Sequence, residues 1–167
     1  GFSKGQLLAL KLGGSGLLSV AGLENIGASG GTGLFTQSTG THTVGTFLIV
    51  ANSGTGRLQL DGGSLAVTLG EAVGFGSIAP ATGTLNQTAG VHTIAGNLAL
   101  GPSTGGVGTL NLFGGSMSAG AVGLGAAVDG SLAFTGSAGG NGFLSVSGGS
   151  LNVAGALTAF NGSFINL

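Results

Sequence analysis

The segment Gly83-Thr-Leu-Asn-Gln-Thr-Ala-Gly90-Val-His-Thr-Ile94, with Leu98-Ala-Leu-Gly101 behind it, decides the fold. Leu85 and Gln87 alternate with Thr84 and Asn86, and beyond Gly90 His92 and Ile94 alternate with Val91 and Thr93. Period-two alternation over so few residues is the pattern of a short strand with one buried face. Two such strands turn a corner at Gly90, and a third apolar run closes the unit at Leu98. Glycine suits a corner because it reaches positive φ without steric cost. No helical periodicity and no helix caps interrupt this pattern.

The unit recurs. Gly33-Leu-Phe-Thr-Gln, Gly56-Arg-Leu-Gln-Leu, Gly83-Thr-Leu-Asn-Gln, Gly108-Thr-Leu-Asn-Leu and Gly142-Phe-Leu-Ser-Val each have a second Gly seven positions on, at Gly40, Gly63, Gly90, Gly115 and Gly149. Their starts lie 23, 27, 25 and 34 residues apart. A degenerate copy opens the chain at GSGLLSVAG. The third run reads LIVA at 48, VGFG at 73, LALG at 98, VGLG at 122 and LTAF at 157. Three short strands in about 25 residues cannot bury their inward side chains alone, so successive coils must stack with parallel strands about 4.8 Å apart. The predicted fold is all-β, a parallel β-solenoid of three strands per coil, with right-handed crossovers expected. Phe35, Leu58, Leu85, Leu110 and Leu144 form one predicted core column. Residues 1–167 read as a single solenoid segment, excerpted from a longer repetitive chain, with Gly-rich residues 125–141 as an inserted projecting loop.

Composition agrees with burial and removes several functions. The 167 residues include 40 Gly, 2 Pro, 9 Phe and no Cys, Trp or Tyr. Mean hydropathy is positive, against the signature of disorder. Three basic residues, Lys4, Lys11 and Arg57, are too few to neutralise a run of phosphates, so no nucleic acid or anionic lipid is expected as partner. The longest strongly apolar run, Phe47 to Ala51, falls far short of the roughly 18 residues of a membrane helix, so no membrane insertion is expected. Without Cys there is no disulfide, thiol chemistry or thiolate metal site.

Two inward columns carry polar residues in alternate copies. One reads Gln37, Leu60, Gln87, Leu112, Val146 and the other His42, Leu65, His92, Met117, Leu151, so that Gln and His switch together and the full period is a pair of coils. As metal ligands or acid–base groups, His42 and His92 would stand about 9.6 Å apart across two coils, too far to share an ion. The favoured expectation is structural: each Gln pairs with the His five residues on. If one coil spanned the whole pair instead, the two His would stack at about 4.8 Å.

The carboxylates Glu24, Asp61, Glu71 and Asp129 are spread along the chain, without the clustered acids that polysaccharide-cleaving solenoids need, so no enzyme activity and no cofactor are expected. A calcium-binding nonapeptide fails for want of an Asp column. A flat Thr array of the ice-binding kind, begun by Thr41 and Thr43, is broken by Ser64/Ala66 and Ser116/Ser118. Leu34 and Phe143 stand in an outward column with Arg57, Thr84 and Thr109, and Phe113 in an outward corner column with Ser38, Asp61, Thr88 and Ser147. These three exposed apolar residues are the candidate lateral contacts.

The strands FTQSTGTHTV, GTGRLQLDGGSLAV, GTLNQTAGVHTIAGNLALG and GTLNLFGGSMSAGAVGLG, over about residues 24–160, resemble the repeats of large secreted bacterial proteins that often carry a PEP-CTERM sorting tail. They also resemble, more loosely, the β-strand repeats of autotransporter passenger domains. The resemblance implies an extracellular or cell-surface solenoid without assigned chemistry. The expected function is structural, a stiff rod or filament extended by self-association or by further repeats of the same chain; the alternative is an adhesin-type stalk or passenger domain that meets a glycan or surface laterally. The terminal segments are as apolar as the middle, with Lys4 and Lys11 the only charges near one edge and none beyond Asp129 at the other, so axial continuation is expected.

Overall fold

The computed structural model describes residues 7–76, 79–160 and 162–167; Lys4 and Asn161 lie outside the described residues. The chain winds as a β-solenoid of about six turns, three strands and about 25 residues to a turn. The first coil is β1 (Leu7–Leu12), β2 (Leu17–Val20) and β3 (Glu24–Ala28); the second β4 (Thr32–Gln37), β5 (Thr41–Val44) and β6 (Phe47–Asn52); the third β7 (Thr55–Leu60), β8 (Ser64–Val67) and β9 (Gly70–Phe75). The fourth is β10 (Ala81–Gln87), β11 (Val91–Ile94) and β12 (Asn97–Leu100); the fifth β13 (Gly106–Leu112), β14 (Ser116–Ala119) and β15 (Val122–Leu124). A hairpin of β16 (Ala126–Val128) and β17 (Phe134–Ala138) follows, then the sixth coil, β18 (Asn141–Val146), β19 (Ser150–Val153) and β20 (Leu157–Ala159), and a last strand β21 (Phe164–Asn166).

Stacking gives three parallel sheets, β1-β4-β7-β10-β13-β18-β21, β2-β5-β8-β11-β14-β19 and β3-β6-β9-β12-β15-β20. Leu10, Phe35, Leu58, Leu85, Leu110, Leu144 and Ile165 pair in one register, and the five predicted members of that column are buried. The coil is therefore the 25-residue unit and not the 50-residue one.

The third strand departs from the sequence alignment in one copy. Leu48 and Leu98 pair with Glu71, and Val50 and Leu100 with Val73, so EAVG at 71, rather than VGFG at 73, occupies the position of LIVA at 48. The corner between second and third sheets keeps one length across these two copies, four residues from Val44 to Leu48 and from Val67 to Glu71. The extra residues of this longer copy fall after β9 instead. The shift carries Glu71 from the corner into the inward column of the strand.

The insert at 125–141 is not a projecting loop. Its antiparallel hairpin lies back on the outer face of the third sheet, where Leu132, Phe134 and Val128 pack with Ala72, Ala99, Phe47 and Phe75. The outward column under it is Ala72, Ala99 and Gly123, small enough to admit the hairpin; a Cβ at Gly123 would stand 2.5 Å from Phe134 Cε1. Asn97 donates to the Leu132 carbonyl at 3.0 Å. In the turn, the Ser131 hydroxyl and the Ser131 and Ala133 amides donate to Asp129 and hold its carboxyl below the ordinary range, so this brace persists at neutral pH and is lost only as pH falls through that lowered value. Leu132→Ala, which removes about 2 kcal/mol or more of packing, should release the hairpin. Limited proteolysis is then expected to cut the variant first within residues 126–138 with the coils intact; equal resistance of variant and parent would contradict this docking.

Candidate functional site

The polar residues of the core assemble, but not as the expected Gln–His pairs. His42 Nε2 lies 2.7 Å from Glu24 Oε2, and His92 Nε2 lies 2.9 Å from Glu71 Oε2. Gln37 Oε1 and His42 Nδ1 have no partner, and neither do Gln87 Oε1 and His92 Nδ1. Each Gln amide turns instead to the backbone. Gln37 donates to the carbonyls of Gly40 at 3.1 Å and Ser64 at 3.0 Å, and Gln87 to those of Gly90 at 3.1 Å and Ser116 at 3.0 Å. The reason is positional: the Gln is the last residue of its strand, next to a corner whose carbonyls need donors, whereas the His ring reaches across the core to the third sheet.

Each arrangement spans three coils. Glu24 of the first coil meets His42 of the second, whose Gln37 reaches Ser64 of the third. Glu71 of the third meets His92 of the fourth, whose Gln87 reaches Ser116 of the fifth. The two modules overlap at the third coil and together bridge five successive coils. Sequence reasoning missed both Glu residues. They share an inward column with Leu48, Leu98, Val122 and Leu157, a signal hidden by the two-residue shift at β9.

The two pairs differ in geometry. Glu24 is 13% exposed and an aligned hydrogen bond joins its carboxyl to His42 Nε2, with the Phe35 ring 4.8 Å from the His42 ring, centroid to centroid. Glu71 and His92 are both 0% exposed, and their contact is close but off the line of the ring N–H, so both Glu71 oxygens and both His92 nitrogens lack an aligned partner. His42 and His92 sit in one column with Leu65 between them, about 9.6 Å apart at the spacing of parallel strands. Among the described residues no three His, Asp or Glu side chains converge as a metal site. A carboxylate–imidazole pair can move a proton; of these four groups Glu24 alone is open to solvent, and His42, Glu71 and His92 are fully buried.

The outer surface holds the remaining candidates. On the first sheet the outward column Thr36, Gln59, Asn86, Asn111 and Ser145 forms an amide ladder: Asn111 donates to Asn86 at 2.9 Å, Asn86 to Gln59 at 3.2 Å, and Gln59 to Asp61 at 2.7 Å. Arg57 donates to Gln59 at 3.0 Å and the Thr88 hydroxyl to Asp61 at 2.8 Å. Leu34, Arg57, Thr84, Thr109 and Phe143 share the next column as expected. Leu34 is half-buried, whereas Phe113 is 53% and Phe143 36% exposed. The hairpin lies over the third sheet and covers none of them. An open groove of about 680 Å³ beside the hairpin, between the corners at Pro80 and Pro102, has no charged lining. Compared with known protein families, with curated proteins and with solved structures, the chain matches none.

Proposed function

We propose that the chain is a non-enzymatic structural protein, a segment of a stiff extracellular or cell-surface rod or filament that extends by axial stacking of its coils. The observation that carries this reading is the single register that runs through all three sheets, with the strands of the first and last described coils each unpaired on one side. Unpaired edges of low charge are templates for a further strand. Inward residues such as Leu10 stand half open at one end and Leu157 at the other, where a further coil would cover them. The occupant is more of the same chain or an identical copy. The paired carboxylate and imidazole groups lie in or at the edge of the core, where they tie coil to coil.

The edge itself supplies the test. Leu10→Lys places a charge pointing inward on the outermost strand, a device that blocks edge pairing. Concentration-dependent growth in sedimentation is expected for the parent chain and not for the variant, with little change between low and high salt because so few charges are present to be screened. A parent chain that stays monomeric at all concentrations contradicts axial self-stacking. A second reading, an adhesin-type stalk, draws on the exposed Phe113 and Phe143 beside the polar ladder of the first sheet.

A further inference from the structure

We propose that the outer face of the first sheet is a binding site for a neutral polysaccharide strand lying along the solenoid axis. The proposal rests on the lateral-face reading and is independent of axial stacking.

The three faces differ in chemistry. The third is occupied by the hairpin and by small apolar residues. The second presents Thr41, Thr43, Ser64, Ala66, Val91 and Thr93, hydroxyls and aliphatics without a charge. The first presents the longest bonded run of planar polar groups, the carboxamides of Gln59, Asn86 and Asn111 with the Arg57 guanidinium and the Asp61 carboxylate, against the Asn25–Asn52 pair on the third and Asn152 on the second. A carboxamide offers donor and acceptor side by side, the guanidinium adds donors and the carboxylate acceptors, which is what the neighbouring hydroxyls of a sugar ring require.

These groups are also held in place. The chain of bonds from Asn111 through Asn86 and Gln59 to Asp61 fixes each carboxamide plane and leaves outward capacity unused: the Asn111 oxygen, the second N–H of Asn86 and of Gln59, and most of the Arg57 fork. Groups ordered before binding lose less freedom on binding. The charges of this face, Lys11, Arg57 and Asp61, stand towards one end of it, whereas the stretch of Thr84, Asn86, Thr109, Asn111, Phe143 and Ser145 carries none, which favours an uncharged ligand there over an acidic or a basic one. Phe143, adjoining the ladder at Ser145, supplies an exposed ring for the C–H face of a sugar, and Phe164 pairs with it one strand further on. The polar rows repeat about every 4.8 Å along the axis, so an extended polymer meets the same groups several times over.

The test is nuclear magnetic resonance titration of the full chain with cello-, chito-, xylo- and maltohexaose, and with heparin as a charged comparison. At least one neutral hexaose is expected to shift amides of β7, β10, β13 and β18. Asn86→Ala with Asn111→Ala, and separately Phe143→Ala, should each weaken that binding about tenfold or more, whereas Thr43→Ala on the second sheet should leave it unchanged. Shifts confined to another face, or no shift with any neutral hexaose, overturn the proposal. Shifts on this face with heparin alone overturn the neutral ligand while keeping the lateral reading. Because the mapping uses the unaltered chain, a variant that fails to fold does not remove the test.

Discussion

Replacing Glu71 by leucine is expected to lower stability by about 3 to 5 kcal/mol, and replacing His92 by leucine as well should recover most of that loss. The single change leaves a fully buried imidazole without the carboxylate 2.9 Å away. The double change makes the two positions like their neighbours in the stack, since Glu71 stands between Leu48 and Leu98 and His92 between Leu65 and Met117. A leucine therefore meets leucine-sized company in both columns. Urea unfolding of parent, both single variants and the double variant closes the cycle, and the coupling is read from the four midpoints and slopes. Additive single effects would show that the pair is not an interacting unit. The pair's imperfect alignment, with four polar atoms lacking an aligned partner, is the reason the apolar double variant should approach or exceed the parent.

Gly115→Ala should cost about 3 kcal/mol or more, against about 1 for Gly30→Ala, although both residues have the same left-handed backbone. Their φ values are 79° and 78°. The difference lies in what a methyl group would meet. At Gly30 nothing stands within 4 Å, whereas at Gly115 the new carbon would lie 2.5 Å from the Gly90 carbonyl oxygen and 2.9 Å from Gln87 Nε2. The second contact is the seat of the module: the Gln87 amide passes this glycine to reach Ser116. Gly115→Ala must push the amide off that carbonyl, so the buried amide loses a partner as well as its space. Thermal unfolding of the two variants separates backbone strain from lost space. Equal losses would mean that φ alone dictates glycine at these corners.

Burial was legible in the sequence wherever one strand face is apolar and the other polar. Phe35, Leu58, Leu85, Leu110 and Leu144 announce their column because each is followed by a polar residue, and the corner glycines repeat at a fixed offset. The third sheet was not readable in that way. Its outer face is itself apolar where the hairpin lies, at Ala72 and Ala99, so both faces of β9 and β12 are buried and alternation disappears. With no alternation to fix the phase, the likeness of VGFG to VGLG set the register two residues late and left Glu71 in the corner before the strand. The Gln–His pairing failed for a related reason: proximity in sequence said nothing of the carboxylate that arrives from the preceding coil. The hairpin left a trace, the alternation of Val128, Leu132 and Phe134 about Asp129-Gly130, and the small column of Ala72, Ala99 and Gly123 is its counterpart. Each half of that contact means little until the stack places them together.

One image tests axial stacking of the coils most directly. Electron cryomicroscopy of the chain at high concentration is predicted to show rods longer than one chain, with coils continuing at about 4.8 Å through every junction and density over Leu10 and Leu157 where one chain meets the next. Discrete single-chain particles, with those end coils still uncovered at concentrations where lateral contacts form, would contradict it.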